Sequence, residues 1–73
     1  MSEELIKKLY KASVIYNSGK ERCEVEAEVA TDPKDRELLL KRAELYEKAY
    51  DMTVEDIAIL KQADEIAKDY KLL

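Results

Sequence analysis

Val14-Ile15-Tyr16-Asn17-Ser18-Gly19-Lys20-Glu21-Arg22-Cys23-Glu24-Val25-Glu26-Ala27-Glu28-Val29-Ala30 is the stretch on which the fold turns. Two periodicities compete in it. Read with the residues before it, Leu5, Leu9, Ala12, Tyr16, Gly19, Cys23, Ala27 and Ala30 follow one another at spacings of three or four. That is the mark of one apolar side of a helix. The helix would run from Glu3 to Ala30, about 42 Å at 1.5 Å per residue. Gly19 would then be a small residue that lets a neighbour come close.

Cys23, Val25, Ala27 and Val29 also alternate strictly with Glu24, Glu26 and Glu28, which is a strand pattern. Asn17-Ser18-Gly19-Lys20 could be the loop of a hairpin. A third reading breaks the helix at Asn17-Ser18-Gly19, with Ser18 and Glu21 capping a second, short helix. Lys20–Glu24 and Arg22–Glu26 run in the less favourable order for a helix, and Glu24–Glu28 repels. The continuous helix is preferred because Ala and Glu are good helix formers. An isolated two-stranded hairpin, in contrast, is marginal in water.

Beyond this stretch two helix starts are marked. Asp32-Pro33 sets an N-cap acceptor before a proline at the first helical position, where the missing N–H is not needed. Thr53, followed by Val54-Glu55-Asp56, reads as a capping box with Asp in place of the usual Glu or Gln. A softer start is Ser2, with Glu3 and Glu4 facing the helix dipole.

The spacing predicts a middle helix from Pro33 to about Asp51 and a last helix from Val54 to about Tyr70. The middle one carries two adjacent stripes, Leu38, Leu45, Ala49, Met52 and Leu39, Ala43, Tyr46, Tyr50. An apolar face that wide calls for two neighbours. The last one carries Ile59, Leu60, Ala63, Ile66, Ala67 and Tyr70. Glu3–Lys7, Glu4–Lys8, Glu37–Lys41, Glu44–Lys48 and Asp64–Lys68 stand four apart with the acid first, the favourable order on a helix. The expected fold is all-α: a single domain over 1–73, a three-helix up-down-up bundle with a long first helix. The alternative is a β-hairpin at 13–30 followed by two helices.

Composition narrows function by exclusion. The chain has 73 residues, 13 Lys plus Arg against 17 Asp plus Glu, no His, one Cys and one Gly. Without histidine and with one cysteine, the usual zinc and non-haem iron ligand sets are missing. One glycine cannot build a Gly-rich phosphate loop. Cys23 lacks a histidine base and reads as a small buried hydrophobe. The dense carboxylates Glu21, Glu24, Glu26 and Glu28 read as a solvated acidic face. No catalytic residue, cofactor, metal or small-molecule substrate is expected.

A net charge of −4 argues against nucleic acid. So do Glu55 and Asp56 at the start of the would-be recognition helix. No apolar run approaches the ~20 residues that span a bilayer. The start, Met1-Ser2-Glu3-Glu4, is too acidic for a secretory signal. The expected setting is therefore soluble and cytoplasmic.

One oddity remains. On the continuous first helix Tyr10, Val14, Val25 and Val29 fall on the side away from the main stripe, and Leu40 lies off the apolar face of the middle helix. A row of exposed apolar residues often marks a partner surface. The expected function is a small non-catalytic interaction or regulatory module that binds another protein or itself as a homodimer. Two alternatives are a structural or designed bundle without a ligand and a weak nucleic-acid-binding regulator.

Overall fold

The computed structural model describes residues 2–69. Two helices account for nearly all of the described chain: α1, Glu3–Val29, and α2, Pro33–Asp69. They lie side by side as an antiparallel hairpin, a rod whose extents are 59 × 14 × 10 Å. Its radius of gyration is 17.2 Å, whereas a compact domain of this length would show about 11 Å.

The long first helix is as expected. The β-hairpin is not formed, since residues 13–29 are helical throughout. Glutamate on every second residue suits a helix as well as a strand, because Cys23 and Ala27 alone need to face inward.

The three-helix bundle is overturned. No corner exists at Met52-Thr53, and α2 runs unbroken through it. Thr53 does not cap a new helix: its hydroxyl donates to the Ala49 carbonyl one turn back, at 2.7 Å. That bond satisfies the buried side chain without interrupting the ladder. Asp51-Met52-Thr53 also contains neither Gly nor Pro, so nothing forces a stop. Tyr46, Thr53, Ile57 and Leu60 carry the inward spacing straight across.

The corner at residues 30–32 forms as expected. Ala30 leaves the helix with φ −69° and ψ 128°. The Asp32 carboxylate accepts the Lys34 N–H at 2.9 Å, the N-cap bond, ahead of Pro33. Arg36 donates to the Ala30 carbonyl at 2.8 Å, so α2 supplies the C-terminal cap that α1 lacks in its own sequence.

At the other end Ser2 makes no side-chain cap bond to α1. Its N–H and hydroxyl instead donate to Asp64 of α2, at 3.2 and 2.9 Å. A carboxylate held against the start of α1 also suits the helix dipole. Of the ion pairs expected along the helices, Glu37–Lys41 closes at 3.5 Å, while Lys7 reaches Glu4 at 3.9 Å.

The seam between the helices repeats at four-three spacing. From α1 it takes Ile6, Leu9, Ser13, Tyr16, Lys20, Cys23 and Ala27, all at least half-buried. From α2 it takes Leu39, Ala43, Tyr46, Thr53, Ile57, Leu60 and Asp64, likewise. A 3.5-residue period of this kind is that of a coiled coil. Small side chains dominate its buried centre: Ser13, Cys23, Ala27, Ala43 and Thr53, with Ile57 the largest. The Ser13 hydroxyl donates to the Tyr10 carbonyl at 2.7 Å, so its burial leaves no polar group unpaired. Gly19 meets the Tyr46 ring so closely that a Cβ there would lie 2.8 Å from two ring carbons. The close approach expected of that glycine is therefore real, and its partner is Tyr46.

Candidate interaction surface

α2 has more apolar surface than its partner covers. Of its two N-terminal stripes, Leu39, Ala43 and Tyr46 enter the seam. The other continues past the expected corner and becomes a single row. Leu38, Leu45, Met52, Ile59 and Ile66 stand seven residues apart, and each is between 54% and 65% exposed. A seven-residue repeat keeps side chains on one slowly winding side of a helix. Ala49 and Ala63 lie between the large residues on the same side. Arg42 and Asp56 interrupt them.

This row forms one flank of the hairpin over about 42 Å at 1.5 Å per residue. Three shallow grooves follow each other along it. Ala30, Leu38, Leu39 and Arg42 line the first, beside the corner. Tyr16, Arg42, Leu45, Tyr46 and Ala49 line the second. Leu5, Leu9, Asp56, Ile59 and Leu60 line the third. α1 thus contributes Leu5, 50% exposed, to the flank. The three-four count places Leu5 in the core, but the buried α1 positions are Ser13, Cys23 and Ala27, and Leu5 falls to one side of their line.

The surface expected from the sequence is distributed differently. Tyr10, Val14, Val25, Val29 and Leu40 are all exposed. Tyr10 and Val14 stand one turn apart, as do Val25 and Val29, but exposed Ser18, Glu21 and Arg22 separate the two pairs. Tyr10 lies on the flank opposite the α2 row, where its hydroxyl accepts from Lys61 Nζ at 2.7 Å. The ammonium sits off the hydroxyl end, 5.2 Å from the ring centre, so the hydrogen bond is the contact. Leu40 stands in the first turns of α2. The α2 row is hidden in the sequence because half of it falls in the expected middle helix and half in the expected last one. A continuous seven-residue count from Leu38 to Ile66 reveals it.

Cys23 is buried and unpaired, as expected of a small core residue. Among the described residues no group of three or more His, Cys, Asp or Glu is placed to hold a metal ion. No helix among them is long and apolar enough to cross a membrane. Tyr70 lies outside the described residues. No family model, curated protein or solved structure matches the chain.

Proposed function

We propose that this chain is a small non-catalytic interaction module that works through a helical surface. The observation that carries the reading is the row Leu38, Leu45, Met52, Ile59 and Ile66, more than half exposed at every position. An apolar face half the circumference of a helix needs two neighbours, and α1 provides one. The exposed area points the same way. The chain presents 6076 Å² to solvent, roughly 1,400 Å² more than the size scaling gives for a compact monomer of 8.5 kDa. That excess is total surface and follows from the rod shape, and the apolar row lies within it; a contiguous exposed apolar row is characteristic of docking sites. The occupant would be another helix, since the row has the geometry of a coiled-coil stripe. The proposed setting is the cytoplasm, where an unpaired Cys23 stays reduced.

The test compares the wild-type chain with the double variant Leu45→Glu, Ile59→Glu. Both changes are on exposed positions, so helicity by circular dichroism should be retained. The wild type should bind a hydrophobic reporter dye or associate, and the variant should do neither. A wild-type chain that stays monomeric and ignores the dye would remove the basis for the reading.

A further inference from the structure

The occupant of the α2 flank can be specified from charge. We propose that it is a second copy of this chain, docked with the two α2 helices antiparallel about a two-fold axis beside Met52, so that two hairpins form a four-helix bundle. The inference rests on the reading of that flank as an interaction surface.

The outer edge of the flank, the side away from α1, is a row of its own. It runs Lys34, Lys41, Lys48, Glu55, Gln62 and Asp69, again seven residues apart and all exposed. The row is basic up to Lys48 and neutral or acidic from Glu55 onward. The change of sign falls at Met52, the midpoint of the apolar row between Leu38 and Ile66.

An antiparallel pairing superimposes each half of the row on the other. With Ala49 of one copy against Met52 of the other, Leu38 meets Ala63. The edge residues that face each other are then Lys48 and Glu55, Lys41 and Gln62, Lys34 and Asp69. Each pair occurs twice by symmetry, as in any isologous contact. In a parallel pairing the two outer edges would lie on opposite sides of the interface, each beside the partner's inner edge, so the basic and acidic halves of the row would not meet. Flanking charges of this kind select partner and direction in coiled coils.

The same register accommodates the two interruptions of the stripe. Arg42 of one copy falls opposite Ile59 of the other, one turn from Asp56 of that second copy. A guanidinium and a carboxylate are thus brought within reach of each other where each would otherwise face apolar surface alone. The inner edge of each flank is lined by α1, whose Leu5 and Leu9 border the groove at Ile59 and Leu60. The second hairpin would close that groove.

Sedimentation equilibrium of the full chain, with and without edge substitutions, tests the assembly. The wild type should be a dimer. Lys48→Glu should weaken it about tenfold, in line with two lost exposed pairs and two new repulsions. Adding Glu55→Lys to that variant should restore it. Direction is read by single cysteines under mild oxidation, with the unsubstituted chain and its buried Cys23 as control.

Met52→Cys should form a disulfide-linked dimer, because its two copies meet beside the axis, near the ~7 Å between Cα atoms that a disulfide can bridge. Leu38→Cys should not, because its two copies lie about 37 Å apart along the bundle at 1.5 Å per residue. Crosslinking at both positions would establish a parallel pair and overturn the proposal. A dimer that crosslinks at neither would place the contact on another surface and overturn it equally. A wild-type monomer that still binds the hydrophobic dye would leave the interaction module standing and eliminate the second copy as its occupant.

Discussion

The two apolar sides of α2 are equally regular and differ in what they contain. The side against α1 mixes small and polar residues, Ala43, Thr53 and Asp64, with the larger Leu39, Tyr46, Ile57 and Leu60. The open side holds Leu38, Leu45, Met52, Ile59 and Ile66, interrupted by Arg42 and Asp56. A monomer that folded only to hide its grease would have left no such row in water. The inner seam is organised for close approach, at Gly19 and Tyr46, and for specific polar contacts, at Thr53 and Asp64. Five large apolar side chains stay on the outside, each more than half exposed.

The seam should be where substitutions cost stability. Ile57 is 5% exposed, and Ile57→Ala should lose ~2–4 kcal/mol, as buried Ile or Leu truncations do. Met52→Ala, on the open side, should change the stability of the dilute chain by less than ~0.5 kcal/mol. Chemical denaturation of both at low protein concentration makes the comparison. Equal losses would abolish the distinction between the two sides.

The contact of Gly19 with Tyr46 sharpens it further. Alanine is favoured over glycine within a helix by about 1 kcal/mol, but its Cβ at position 19 would collide with the ring. Overpacking costs ~1–3 kcal/mol, so Gly19→Ala should be neutral to destabilising. In a Tyr46→Ala background the same substitution should stabilise by about 0.5–1 kcal/mol. A double-mutant cycle reads this reversal of sign, and its absence would mean that the ring yields freely.

Asp64 ties the start of α1 to α2 through Ser2. Asp64→Ala should lose ~1–2 kcal/mol, between a neutral hydrogen bond and one to a fully buried charged group, because the contact is part-buried. Amide exchange should quicken first at residues 4–6. A small effect should also come from Lys20, whose ammonium reaches Glu47 across the seam at 3.5 Å. Glu47→Gln should cost less than ~1 kcal/mol because the pair is partly exposed, and added salt should reduce the difference.

Much of this is legible in the sequence, for identifiable reasons. The three-four spacing from Leu5 to Ala30 foretells α1, and Asp32-Pro33 foretells the corner. Gly19 foretells a close neighbour; the doubled stripe on the middle helix calls for two neighbours, of which the described structure contains one, α1. What misleads is Thr53. A threonine before two acids is a capping signal in isolation, but inside a buried seam its hydroxyl turns back to Ala49. The composition of the seam also hides it. Ser13, Lys20, Thr53 and Asp64 occupy inward positions, so counting apolar residues alone draws the stripe through Leu5, Ala12 and Gly19. The open flank is concealed by the same false corner, which divides it between two helices that are one.

The three-residue corner between Val29 and Pro33 has a kinetic consequence. Closing so short a connection sacrifices little chain freedom, and the first pairings across it are near neighbours in sequence. The hairpin should zip outward from Asp32, reaching Ala27 and Ala43 early and Ser2 and Asp64 last. The end of the rod where Asp64 holds Ser2 is then the place where unfolding begins.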